Sequence, residues 1–393
     1  MRHFPFLTDE QLKSTFYISP ESWTKESPKE VLAYALGGTL YMPGTRTQIS
    51  NDILGGKFLY GKYAGLTSMV ICLEDSISDH EVVEAEINSV IQLQTLYNAV
   101  NSRKFSQGHL PLIFIRVREP KQIEKLINDL GAASTLLSGF VLPKFDAHIG
   151  KEYLEQIQSI NNTYCLSLYA LPILESKEVI YKETRMDTLL SIKKLLDHYA
   201  EIVLNIRIGA TDFSGLFGIR RDSETPIYDI AIIRDCIADI LNIFGRMDHE
   251  YIISGPVWEY FQLPGQMVKP SVRNNLDGVL PTANQYDQAF IREIILDKSN
   301  GIVGKTIIHP SHIRLVHALN AVTYEEYMDS ISIMDHIHSH NGVITSNFHN
   351  KMNEVKPHYQ WARKTLLKSK VYGVLHEQQS FIQLLEFSER VHL

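Results

Sequence analysis

SMVICLEDS (68–76) runs five apolar residues together, Met69 to Leu73, then two acids, and gives way to a helical pattern over 81–98. A short continuous apolar run followed by a longer helical stretch is the pattern of one β/α unit whose strand is buried on both faces. The pattern recurs along the chain. GTLYMPG (38–44) precedes it, and LIFIRV (112–117), GFVLPK (139–144), YALPILES (169–176), NIRIGATDF (205–213), YIISGP (251–256) and GIVGKTIIHP (301–310) follow. Further helical patterns occupy 121–130, 151–160, 186–200 and 228–245. Eight such units in about 270 residues predict an α/β fold of the (β/α)8 TIM-barrel type. An open doubly wound sheet is the competitor, but the GxGxxG phosphate fingerprint that would favour it is absent. Three segments are expected: an N-terminal extension (1–36) that is polar and aromatic with no strand pattern, a catalytic barrel (37–310), and a C-terminal helical or lid segment (311–393). The last carries helical stretches at 311–338, 356–368 and 374–390 around HSHNGVITSNFHNKMNEVKP (338–357), whose Asn, His, Ser and Gly mark irregular structure. It is placed to cap the barrel mouth or to mediate subunit contacts.

The 393 residues are 44% apolar and 21% charged, ordinary values for a globular chain and too apolar for dominant disorder. With 38 basic and 45 acidic residues the net charge is −7, histidines counted neutral, and no long basic run occurs. Electrostatic binding to nucleic acid or to a membrane surface is therefore not expected. No apolar run approaches the roughly 18 residues of a membrane helix. Pro5, Asp9 and Glu10 interrupt MRHFPFLTDEQLKS before a signal-peptide core develops. Cys72, Cys165 and Cys236 are too few and scattered for a disulfide framework, and none has CxxC spacing. A reduced, cytoplasmic, soluble enzyme is the expectation.

In a parallel barrel the chemistry gathers at the C-terminal strand ends. Here five successive runs end in charge: Glu74 and Asp75, Arg116 and Arg118, Lys144, Glu175, and Asp212. Glu175 and Asp212 close neighbouring strands, and two carboxylates on one rim suit Mg2+, which leaves its other positions to water and substrate. Structural ion pairing with the nearby Arg and Lys is the alternative reading. Without cysteine or paired-histidine spacing, zinc is disfavoured. Arg116 brings a permanently charged fork to the same mouth, suited to a carboxylate or a developing enolate oxygen. Lys144 could serve as a Schiff-base lysine, a role two acids at metal spacing would make redundant. GIVGKT fails as a phosphate loop because Ser299 stands where the earlier glycine is required. His336, His338 and His340 alternate at a helix-to-loop junction and do not converge on one point. Cys72 lies mid-strand, as a buried small hydrophobe would.

Taken in order, these strand ends resemble the citrate lyase beta subunit family, which includes malyl-CoA lyases and related Mg2+-dependent C–C lyases. LYMPGTR (40–46), ICLEDS (71–76), IRV (115–117), VLPK (141–144), ILES (173–176), GATDF (209–213) and GKTIIHPSHI (304–313) follow the family order. The extension and the SNFHNKMNEVKPH tail are similar to a divergent branch found in bacterial tellurium-resistance and stress gene clusters. The resemblance implies a TIM barrel, usually a homotrimer or hexamer, with Mg2+ on Glu175 and Asp212. It implies Arg116 on the enolate oxygen, Glu74 and Asp75 as a supporting acidic cluster, and Arg46 and Lys144 among the substrate contacts. Two departures bear on the substrate. Arg118 replaces the family's Asn, which suggests a more anionic substrate, with a phosphate or second carboxylate. HNKM (349–352) replaces a DGKM-type lid motif, which puts His349 where an acid would reach into a neighbouring subunit and act as proton donor. The implied activity is a Mg2+-dependent C–C lyase or aldolase (an oxo-acid-lyase type) on a small anionic keto or hydroxy acid, free, phosphorylated or as a CoA thioester. A thioester hydrolase with the same metal site and a catalytically silent scaffold for a partner enzyme are the alternatives.

Overall fold

Each of the eight apolar runs forms a strand of one parallel sheet. The structure, a computed structural model, describes residues 1–247, 250–261, 285–338 and 342–386. In chain order the strands are β1 (Phe16–Ile18), β2 (Gly38–Pro43), β3 (Ser68–Cys72), β4 (Leu112–Arg116), β5 (Leu137–Leu142) and β6 (Tyr169–Leu174). β7 (Ile206–Ile208), β8 (Ile253–Ser254), β9 (Lys305–Ile307), β10 (Val343–Thr345), β11 (Met352–Glu354) and β12 (Val374–Leu375) follow. The helices are α1 (Asp9–Thr15), α2 (Lys29–Ala35), α3 (Ile49–Leu54), α4 (Val82–Asn101), α5 (Pro120–Leu130), α6 (Ala147–Tyr164), α7 (Lys177–Ile180) and α8 (Lys182–His198). After them come α9 (Ala210–Leu216), α10 (Ala231–Phe244), α11 (Gln285–Ser299), α12 (His312–Asn320), α13 (Tyr324–His336), α14 (Val355–Tyr372) and α15 (Phe381–Glu386).

The sheet runs β8-β7-β6-β5-β4-β3-β2-β9. A parallel bridge between Gly255 and Lys305 brings β8 onto β9 and closes the barrel. Strand alternation then divides the side chains into two sets. Ile71, Ile113, Ile115, Phe140, Leu142, Leu174 and Ile206 point outward beneath the helices. Val70, Leu112, Phe114, Val141, Leu171 and Ile173 fill the interior.

That inner core continues into Trp23, Leu32 and Leu36 of the extension and Val371 and Tyr372 of α14. Because α2 runs directly into the start of β2, these residues plug the N-terminal end of the barrel. Lys29 Nζ donates to the Ala200 carbonyl ahead of β7 (2.5 Å), and Lys364 of α14 pairs with Glu250 ahead of β8. The described residues of the C-terminal segment thus cover the floor of the chain's own barrel, and none of them lines the cavity at the strands' C-terminal ends.

The flanking segments differ from the sequence reading in four places. The extension contains a strand, β1, which pairs antiparallel with β12; three residues are too few to show alternation. The stretch 311–338 breaks at Ala321–Thr323, where Val322 bridges to Val374 and Thr323 caps α13 with Glu326 as its reciprocal partner. The stretch 338–357 contains the β10–β11 hairpin. Helix does not begin at 374: Gly373 ends α14 at φ 76°, a Cβ there would lie 2.7 Å from the Phe16 ring, and β12 follows.

Candidate active site

The period-two rule aims Arg116 inward, because it shares its face of β4 with Leu112 and Phe114. Its Nη2 lies 2.7 Å from Glu74 Oε2, 2.9 Å from Asp75 Oδ2 and 3.1 Å from Glu175 Oε1. Lys144 joins the cluster twice: its backbone N–H donates to Glu175 Oε1 (2.8 Å) and its Nζ to Glu74 Oε1 (2.9 Å). It takes a left-handed backbone (φ 47°) to do so, uncommon for a non-glycine residue. Gly209 passes against Glu175 so closely that a Cβ there would stand 2.3 Å from the glutamate's own Cβ. Only glycine permits that approach. β7 ends at Ile208, so Asp212 sits in the first turn of α9 rather than on the strand. Asp75, Arg116, Glu175 and Asp212 line one cavity of about 420 Å³, whose deeper wall includes Tyr41, Arg207 and Thr306. That volume is within the usual range for small-molecule sites, roughly 300–1,000 Å³.

Four carboxylates crowd this mouth, and their protonation shows it. Burial, reinforced by Asp212 and Glu74, pushes Glu175 up to about 7 despite Arg116. Burial likewise raises Glu74 and Asp212, each with a contribution from Asp75. Burial would raise Asp75 too, but the Glu74 contact and Arg116 outweigh it and hold it low. Arg116 is held charged, because Glu175 and Glu74 outweigh the cost of its burial. A divalent cation bound here would offset that crowding of carboxylates. Among the described residues no group of three or more His, Cys, Asp or Glu side chains is arranged to hold an ion. A metal here would rest on Glu175 and Asp212, with water and substrate completing its shell, as Mg2+ accepts.

The remaining residues singled out from sequence lie elsewhere. Arg46 pairs with Asp52 (2.5 Å) beside α3, and Arg118 with Asp79; neither lines the cavity. His349 is exposed at φ 55° in the turn between β10 and β11, a hairpin that packs on α13 and α14 away from this chain's mouth. Lys305, from GIVGKT, points outward to Glu293 (2.8 Å) and Asp297 (2.7 Å) of α11. Cys72 is buried in the cavity wall. His336 ends α13, with Nδ1 2.8 Å from the Ser332 carbonyl, and His340 lies outside the described residues.

The sequence reading missed Arg207. It occupies the inward face of β7 between Asn205 and Gly209, 1% exposed. Its Nε and Nη2 donate to Thr306 Oγ1 (3.3 and 3.0 Å) and its Nη1 to Thr39 Oγ1 (3.4 Å), with the Tyr41 ring 5.5 Å from its guanidinium carbon. Its parity in NIRIGATDF was the available signal: an arginine on the inward face of an otherwise apolar strand.

Two solved structures share this architecture. A citrate lyase from Burkholderia xenovorans LB400 aligns with a TM-score of 0.57 at 13% identity, over 89% of this chain and 96% of its own. The protein CitE from Mycobacterium tuberculosis, solved with magnesium, acetoacetate and coenzyme A, aligns with a TM-score of 0.53 at 14% identity, over 86% of this chain and 99% of its own. At such identities the likeness shows the fold. No curated protein matches the sequence closely enough to count as a relative. The profile described as C-C bond lyase of the TIM-barrel fold matches residues 30–374. Covering most of the chain, including every barrel strand and the mouth assembled above, that match makes this protein a member of the TIM-barrel C–C bond lyase family.

Proposed function

We propose that the protein is a Mg2+-dependent C–C bond lyase that cleaves or condenses a small anionic oxo or hydroxy acid, free or as a thioester, through an enolate. The observation that carries this reading is Arg116, buried at the barrel mouth and held by three carboxylates, Glu175 among them, with Asp212 in the same cavity. Glu175 and Asp212 would hold Mg2+: both are hard oxygen donors, both are pushed toward retaining a proton, and both line one cavity. When bound, Mg2+ supplies Lewis-acid stabilisation to an oxygen gaining negative charge.

The chain's own residues supply the rest. Breaking a C–C bond beside a carbonyl leaves an electron pair that must delocalise onto the carbonyl oxygen. Arg116 is fixed and permanently charged before the reaction, so it meets that charge without reorganising. Glu74 and Asp75 hold the guanidinium from one side, and Lys144 anchors Glu74 and Glu175. A homotrimer or hexamer, in which His349 reaches a neighbour's mouth, belongs to the same reading.

The test is enolisation itself. Methyl protons of pyruvate, acetoacetate and acetyl-CoA are followed by NMR in D2O with and without Mg2+. Mg2+-dependent exchange is expected in the parent and should be lost in Glu175→Gln and Asp212→Asn, which should also bind Mg2+ more weakly by calorimetry. No exchange with any of the three, together with unchanged Mg2+ affinity in both variants, overturns the reading.

A further inference from the structure

We infer that Arg207 and Thr306 form a second anion-binding subsite at the base of the mouth cavity, so that the substrate carries a carboxylate or phosphate at the end remote from the reacting carbons. This rests on the lyase reading for which part of the ligand sits near Glu175 and Asp212. The subsite itself rests on Arg207.

A guanidinium almost wholly removed from water loses several kcal/mol of hydration and is ordinarily retained only beside a counter-charge. Among the described residues most other buried cations obey that rule; Arg314, the exception, meets the Gly61 carbonyl and the face of Phe6 and does not line the mouth cavity. Arg116 meets three carboxylates, Lys305 meets Glu293 and Asp297, and Arg221 meets Glu259 and Glu293. Arg207 has no carboxylate partner among the described residues. Its contacts are two threonine hydroxyls and the face of Tyr41, which carry no charge. It also lines the cavity, although barrel interiors are ordinarily filled with branched apolar side chains. An uncompensated, preoriented fork facing a ligand cavity is how carboxylate and phosphate groups are recognised. Position selects the remote end of the ligand. Arg207 is mid-strand, two residues before Gly209, whereas Glu175 and Asp212 lie beyond the ends of their strands. The extra cation that Arg118 suggested from sequence is instead supplied from inside the barrel, since Arg118 is engaged by Asp79.

Calorimetry on the full chain, with and without Mg2+, compares 2-oxo acids with and without a charged tail, the two carboxylate pairs being matched for length. The pairs are oxaloacetate (freshly dissolved) with 2-oxobutyrate, 2-oxoglutarate with 2-oxovalerate, and 3-phosphohydroxypyruvate with hydroxypyruvate. In the parent at least one acid with a charged tail should bind about ten- to hundredfold tighter than its partner, the scale of a charge-assisted pair. Which pair shows it distinguishes carboxylate from phosphate. In Arg207→Met that preference should fall to about one with Mg2+ affinity unchanged, and Arg207→Lys should retain part of it. The ligand-free unfolding midpoint of Arg207→Met should not fall, because the substitution removes an uncompensated charge. No preference for a charged tail in the parent, or a preference that survives Arg207→Met, overturns the subsite. An Arg207-dependent preference among acids whose absolute affinities do not change with Mg2+ upholds the subsite and overturns the metal-dependent lyase reading alone.

Discussion

Glu175→Gln should stabilise the metal-free protein while removing its proposed activity. The parent carboxyl has an ordinary value of 4.5 and is pushed up to about 7 by burial and by its acidic neighbours. Between those values the folded chain holds the proton more tightly than the unfolded chain does. The parent therefore loses stability as pH climbs through that window, and above it carries a constant penalty. At 1.36 kcal/mol per unit the penalty is about 3 kcal/mol at pH 8 and about 1 kcal/mol at pH 5. Glutamine is the neutral isostere and keeps the Oε1 acceptor for the Lys144 N–H and for Arg116. Glu74 and Asp75 still neutralise that guanidinium. With an unfolding entropy of about 2.1 cal/mol/K per residue, each kcal/mol moves the midpoint of a chain this long by about 1 °C. Differential scanning calorimetry in EDTA should show Glu175→Gln melting about 3–4 °C above the parent at pH 8 and about 1 °C above it at pH 5. An equal or lower midpoint at pH 8, or a difference that does not change with pH, would refute the view that Glu175 is held against stability for a bound cation.

Arg116→Lys should lower turnover by about 10²–10³ with a smaller effect on substrate binding, since a lysine cannot reproduce the fork; steady-state kinetics separate the two. Lys305→Met should cost about 3–5 kcal/mol in unfolding assays, because it strands the buried Asp297 carboxylate without its cation and leaves Glu293 to Arg221 alone. His349→Ala should leave Mg2+ affinity unchanged and lower turnover. Subunits with an intact hairpin but a dead metal site should rescue it in mixed oligomers, and wild-type turnover in His349→Ala would return His349 to a solvated loop.

Local pattern was sufficient for the barrel. Eight apolar runs became eight parallel strands because a strand buried on both faces must be apolar throughout, and nothing else in SMVICLEDS or LIFIRV competes with that reading. The acids and Arg116 were legible for a related reason: closing the barrel brings successive strand ends together, whatever the loops do. The flanks were not legible. β1 and β12 are too short to show alternation and exist because each completes the other from opposite ends of the chain. Nor could sequence tell which strand-end charges would converge. Arg46 and Arg118 carry the same chemistry as Arg116, yet they lie beyond the strands and find Asp52 and Asp79. Arg207 shows the reverse: it looked like part of an apolar strand, and only the closed barrel shows that its inward face meets two threonines and no carboxylate among the described residues. The periodicity of one segment dictates that segment's backbone, whereas the neutralisation of a buried charge depends on what several distant segments bring to it.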